Sequence, residues 1–186
     1  MSEEPAFEKM DECIFCAIAS GKMESFKIYE DSDIIAILDI NPMARGHTLV
    51  MPKNHFQFLF QMPDELSSKL FNTIKMLMPL LINATKAQGV NLIVNQGSVA
   101  GQTIEHLIIG VIPRYPDDKI VLDAPRLKLK GEEFAELAKQ LNEKIGAMKK
   151  EKEEKELRSK EEKKKEEDKQ MDDIEKIFRQ VKQRMP

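Results

Sequence analysis

Between residues 149 and 170, 19 of 22 residues are charged. A stretch of that density has no apolar face to bury, so any core this chain builds must be assembled before it. The stretch itself is a solvated helix or a disordered tether. Its signs balance: residues 131–186 hold 16 Lys+Arg and 16 Asp+Glu, against 13 and 16 in residues 1–130. That balance argues against a nucleic-acid arm, which would be basic. Long apolar stretches fill the first two thirds of the 186 residues, enough for one domain plus an extension. No apolar run approaches the roughly 18 residues of a membrane span. The opening MSEEPAFEKMDE is acidic and has no apolar core, so it does not read as a signal peptide. Two cysteines cannot build a secreted disulfide framework, so the default setting is reducing and cytoplasmic.

The two edges of the charged stretch differ from its middle. Phe134, Leu137, Ala138, Leu141, Ile145 and Met148 recur at helical spacing. Met171, Ile174, Phe178, Val181 and Met185 step by 3, 4, 3 and 4, a coiled-coil-like seam about two heptads long. The expected organisation is a flexible N-terminus over 1–11, a globular domain over 12–130, and a helix over 131–148 packed on the domain. A charged spacer over 149–170 and a short amphipathic helix over 171–183 follow. That last helix packs on its own domain or a dimer mate, or docks a protein partner.

Within the domain, Phe26–Glu30 alternates and is closed by Asp31-Ser32. Ile34–Leu38 is a second strand, His47–Met51 a third, closed by Pro52, and Asn91–Asn95 a fourth. A helix opens near Pro63, with Asp64 as its N-cap, and ends at Gly89. Leu66, Leu70, Ile74, Leu77, Leu81 and Ala84 form its buried stripe. Pro79 should kink or divide it. Gly97–Gly101 is a small-residue loop suited to close approach of a ligand. Ile104–Ile112 is the fifth and longest strand, stopped by Pro113. Strands joined by short turns, with one long helix, describe an α+β domain with a mostly antiparallel five-stranded sheet and a C-terminal helical extension.

Two features carry chemistry. Cys13-Ile-Phe-Cys16 sets two thiols at chelating spacing, and the chain has only three histidines, His47, His55 and His106. Two further ligands would close a tetrahedral zinc site, although the spacing is not that of a zinc finger. Buried free thiols are the plainer alternative, and a redox dithiol lacks its usual βαβ context. In the fifth strand, Ile104, His106, Ile108, Gly110 and Ile112 share one face by period-2 alternation. His106 is then a lone imidazole among apolar neighbours, and Gly110 marks a bulge or a close approach.

Gly101-Gln102-Thr103-Ile104-Glu105-His106-Leu107-Ile108-Ile109-Gly110-Val111-Ile112-Pro113-Arg114 resembles the signature region of the histidine triad (HIT) proteins. Cys13-Ile-Phe-Cys16, Leu38-Asp39-Ile40-Asn41-Pro42, Ala44–Val50 and Pro52-Lys53-Asn54-His55 resemble the same family, in the expected order over residues 12–114. The resemblance implies nucleotidyl hydrolases or transferases, usually homodimeric, with a five-stranded sheet per protomer. It also implies three alternating histidines on one strand, the middle one attacking the α-phosphate. Here His106 takes the first position, Ile108 the nucleophile position and Gly110 the third. A hydrocarbon has no lone pair for phosphorus and no proton to deliver. His47 resembles a structural position before a strand.

In the zinc-bearing branch of the family, the metal positions map to Cys13, Cys16, His55 and His106. The resemblance therefore implies structural zinc, with a full shell and no open position for water. It would clip the N-terminal segment to the third-strand and fifth-strand regions. Asp39 matches the acidic position at the ribose hydroxyls, and Asn95, Gly101 and Gln102 match positions around the phosphates. Asp39 could equally end a strand, and Asn95 and Gln102 could pin the glycine loop. The reading is a HIT-fold protein without its nucleophile, a non-catalytic nucleotide-binding or protein-interaction module. The alternative is an active nucleotide hydrolase using an unrecognised nucleophile such as a cysteine, Ser98 or Lys53.

Overall fold

The computed structural model describes residues 13–122, 124–154 and 157–158, which fall into two units divided after Leu122. The expected flexible segment 1–11 and terminal helix 171–183 lie outside the described residues. The first unit is a five-stranded antiparallel sheet of order β1-β2-β3-β5-β4, with β1 Lys27–Glu30, β2 Ile34–Leu38, β3 Thr48–Pro52, β4 Gly89–Ile93 and β5 Ile109–Arg114. Two helices accompany it, α1 Ile14–Ala19 and α2 Asp64–Thr85.

Both faces of the sheet are covered, which explains why β2 reads as an unbroken apolar run rather than an alternating one. Ile34 and Ala36 face one core with Val50, Ile109, Val111 and the α2 residues Leu70, Ile74, Leu77 and Leu81. Ile35 and Ile37 face a second core with Met51, Phe15, Ile18, Cys13 and Cys16. The site lies on that second face, under α1.

Several boundaries differ from those the sequence suggests. The N-cap of α2 is Pro63, and Asp64 is its first helical residue. Asp64 and Glu65 then place negative charge in the first turn, where the helix dipole favours it. The helix stops at Thr85, well before Gly89, because Lys86 turns left-handed at φ 62°. Pro79 does not divide α2. Pro79 and Lys75 are both exposed, so the carbonyl that loses its helical partner meets water.

The fifth strand begins at Ile109, not Ile104. The Leu107 N–H donates to the Phe56 carbonyl, 2.6 Å, and the His106 N–H donates to Ile104, 2.8 Å, so this stretch is held outside the ladder. Nor does Pro113 stop the strand, which runs to Arg114. The β3 partner ends at Thr48, opposite Val111, so the missing Pro113 N–H interrupts no ladder on that side.

In the second unit residues 131–154 are helical, running past 148 into the charged stretch. Phe134, Leu137, Leu141, Ile145 and Met148 are 47–69% exposed. No helix among the described residues is long and apolar enough to cross a membrane.

Candidate metal centre and ligand pocket

Cys13 is the N-cap of α1 and Cys16 lies in its first turn, so their side chains sit three residues apart on one helical face. His55 follows the end of β3, and His106 lies just before β5. The four ligating atoms lie within 4.8 Å of one another, and Cys13, Cys16 and His106 are buried. Cys16 Sγ is 3.3 Å from His55 Nδ1 and 3.6 Å from His106 Nδ1, and Cys13 Sγ is 3.5 Å from His106 Nδ1. With Zn–S of about 2.3 Å and Zn–N of about 2.0–2.1 Å, a tetrahedral site has sulfur–nitrogen edges of about 3.5 Å. The separations here are of that size.

His106 is oriented for this role. Its Nε2–H donates to the Pro52 carbonyl, 3.0 Å, which leaves the Nδ1 lone pair facing both sulfurs. Burial, and to a lesser degree His55, pull His106 down to about 4, so the ring is neutral at ordinary pH. Burial, followed by the Cys13 thiol beside it, pushes Cys16 up to about 12. A thiol held so firmly protonated would release its proton on binding a cation. The donor set, two sulfurs and two imidazoles, is one that zinc accepts.

Beside this cluster lies a cavity of about 520 Å³, within the usual size range of small-ligand sites. It is lined by the period-2 set Ile104, His106, Ile108, Gly110 and Ile112, so the alternation holds even where the strand does not. Asp39, Asn95, Gly101 and Gln102 line the same cavity. The structure thus gathers the expected metal, nucleotide-binding and triad positions into two adjoining sites, and His106 belongs to both, whereas the alternative nucleophiles Ser98 and Lys53 line neither.

Asp39 Oδ1 accepts the Asn41 N–H, 2.8 Å, and Oδ2 stands 3.1 Å from His47 Nδ1. The Asn95 amide donates to the Gly101 carbonyl, 3.4 Å. Gln102 accepts the Gly97 N–H, 2.7 Å, and donates to the Gln57 carbonyl, 3.0 Å. Both amide side chains therefore pin the glycine loop.

Three features went unseen in the sequence. His47 does precede β3, but it also lines the cavity, and its Nε2 is 3.1 Å from where a β-carbon on Gly110 would stand. The Met43 N–H approaches His47 Nδ1, 3.3 Å, and the Asp39 carboxylate stands 3.1 Å from the same nitrogen. Burial lowers the His47 pKa against the opposing pull of Asp39. The second feature is the Pro52 carbonyl, a backbone group with no sequence signal. The third is Ser25 Oγ, buried on the cavity wall without a hydrogen-bond partner among the described residues.

The fold and the site define a class: two-sided α+β domains whose last long strand lines a ligand pocket beside a sulfur–imidazole cluster. Residues 20–117 match the HIT domain, and the chain belongs to that family. An uncharacterised HIT-like protein of Borreliella burgdorferi is 37% identical over 139 residues, 73% of this chain and 100% of that one. The adenosine 5′-monophosphoramidase HNT1 of Candida albicans is 35% identical over 106 residues, 55% of this chain and 70% of the relative. A zinc-bound histidine triad family protein of Mycobacterium smegmatis is similar in structure. It has a TM-score of 0.57 and 35% identity, covering 63% of this chain and 86% of that one.

Proposed function

We propose that this chain is a HIT-domain binding module that has lost nucleotidyl transfer, takes a nucleoside-bearing ligand in its cavity, and is held together by structural zinc. The observation that carries the reading is Ile108. It lines the cavity at the nucleophile position, with Gly110 at the third triad position. Neither residue can attack phosphorus or move a proton. Cys13, Cys16, His55 and His106 would hold the zinc, which would supply a crosslink rather than an activated water, since four protein ligands fill the shell.

Relatives support the ligand class. The Candida albicans relative is described as an adenosine 5′-monophosphoramidase, and a structural neighbour from the same organism as a histidine triad nucleotide-binding protein.

The test is hydrolysis of adenosine phosphoramidate and dinucleoside polyphosphates by clean protein, with rapid quenching and mass spectrometry of the intact chain. No turnover and no nucleotidyl adduct are expected. Turnover at an ordinary enzymatic rate, on the order of 1–10³ s⁻¹, or an adduct on any residue, would overturn the silent-site reading.

A further inference from the structure

We infer that the terminal segment 171–185 folds back antiparallel onto the apolar face of residues 134–148 in the same chain, which makes a two-helix hairpin of the extension.

In the second unit Phe134, Leu137, Leu141, Ile145 and Met148 step by 3, 4, 4 and 3 along a helix. At 3.6 residues per turn they fall on one stripe about 80° wide. All five are 47–69% exposed. A helix of this kind takes most of its stability from packing its apolar face, not from propensity. The stripe therefore calls for a partner.

The chain carries a second stripe of the same length. Met171, Ile174, Phe178, Val181 and Met185, outside the described residues, would fall within an equally narrow arc on a helix. With Met171 set antiparallel against Met148, Ile174 meets Ile145, Phe178 meets Leu141, Val181 meets Ala138 and Met185 meets Phe134. Every apolar residue of the segment then has an apolar residue opposite. A parallel alignment of the same stripes sets Val181 against Lys144.

Charge decides the direction more firmly. Residues 131–138 contain Glu132, Glu133 and Glu136 and no base, while Lys139, Lys144, Lys149 and Lys150 follow with Glu143 as the one acid up to residue 150. The terminal segment is sorted in the same way: Asp172, Asp173 and Glu175 come first, then Lys176, Arg179, Lys182 and Arg184. Such sorting suits the dipole of each helix, and it also sets how two of them can lie together. Antiparallel packing brings the acidic end of each to the basic end of the other. Parallel packing brings like charges together at both ends.

The connection is long enough for the same chain to do this. Residues 131–154 and 157–158 are helical. A helix that runs to residue 158 ends about 15 Å past Met148. The return needs that length along the axis and about 10 Å across to a neighbouring helix. Residues 159–170 alone reach roughly 40 Å when extended. Their charge keeps them in water and out of the seam. A second copy could satisfy the same charges, but five side chains fall well short of the roughly 20–30 residues a side of a stable interface. The tether supplies its own segment at an effective concentration on the order of 1 mM.

The experiment places a photoreactive benzophenone amino acid at position 178 of the full-length protein. Isotope-labelled and unlabelled chains are mixed, irradiated, digested and mapped by mass spectrometry. The main crosslink should join position 178 to residues 137–145 of the same chain. Lys182→Glu with Arg184→Glu should lower its yield at least about threefold, and adding Glu132→Lys with Glu133→Lys should restore it. That restoration reports pairing, because all four changes oppose the helix dipoles. A crosslink between labelled and unlabelled chains, one to residues 13–122, or none at all overturns the inference. A quadruple variant no better than the double shows that the sorted charges serve each helix alone, and overturns the antiparallel pairing.

Discussion

A β-carbon on residue 110 would stand 3.1 Å from His47 Nε2, closer than most side chains tolerate, and the His47 ring is itself buried. Placing a histidine at residue 110 is therefore a packing problem before it is a chemical one. Gly110→His should cost about 1–3 kcal/mol through overpacking. His47→Ala opens that space, so the double variant should lose less than the two single variants summed, by at least about 0.5 kcal/mol. Urea unfolding of the four proteins measures the cycle, and strictly additive losses would show that the two positions do not compete. The same contact shows what the sequence could not convey. Cys13, Cys16, His55 and His106 were legible because their chemistry is scarce in this chain and their blocks match a known pattern. His47 sits in an equally recognisable block, yet that it faces residue 110 is a fact of the fold between β3 and β5. The use of Asn95 and Gln102 was also open, since an amide can serve a ligand or a loop and only coordinates show which.

Elements were legible where the pattern was periodic. The pocket-facing set from Ile104 to Ile112 followed from alternation, although the ladder starts only at Ile109, because the Leu107 N–H is bonded to Phe56 instead of a strand. The six-residue α1 had no readable period, being shorter than two helical turns. The core stripe of α2 was readable, but its end was not, since a left-handed Lys86 carries no sequence signal of the kind glycine gives. Pro79 is a local conflict inside a helix whose burial on the sheet overrides it. Pro79→Ala should therefore stabilise the protein by about 1–3 kcal/mol, because the lost helical bond is regained and proline is about 3 kcal/mol worse than alanine in a helix interior. The unfolded chain gains some entropy with alanine, which trims the benefit. Denaturant midpoints at unchanged slope would measure it, and a variant no more stable than the parent would show that the freed carbonyl is already fully compensated.

At the scale of the molecule, the cluster of sulfurs and imidazoles joins α1 to segments 39 and 90 residues further along the chain. Every residue of the two cores lies between Cys13 and Ile112, so stability belongs to the first unit and should not need the charged extension. A metal crosslink over loops this long acts as a disulfide would, removing unfolded-state entropy worth roughly 3–5 kcal/mol. For a domain of this size, that corresponds to a fall in Tm of at least about 10 °C when zinc is stripped. Strong chelation of the full chain should produce that fall. Cys13→Ser should melt at the lowered temperature and be insensitive to the chelator. Deleting residues 149–170 should change neither the metal content nor the melting of the domain, because a stretch with 19 charged residues in 22 has nothing to pack with. Elemental analysis alongside scanning calorimetry separates the cases. A metal-free sample that melts with the loaded protein would remove the crosslink from the account. A deletion that lowers Tm would mean that the extension shares in the core.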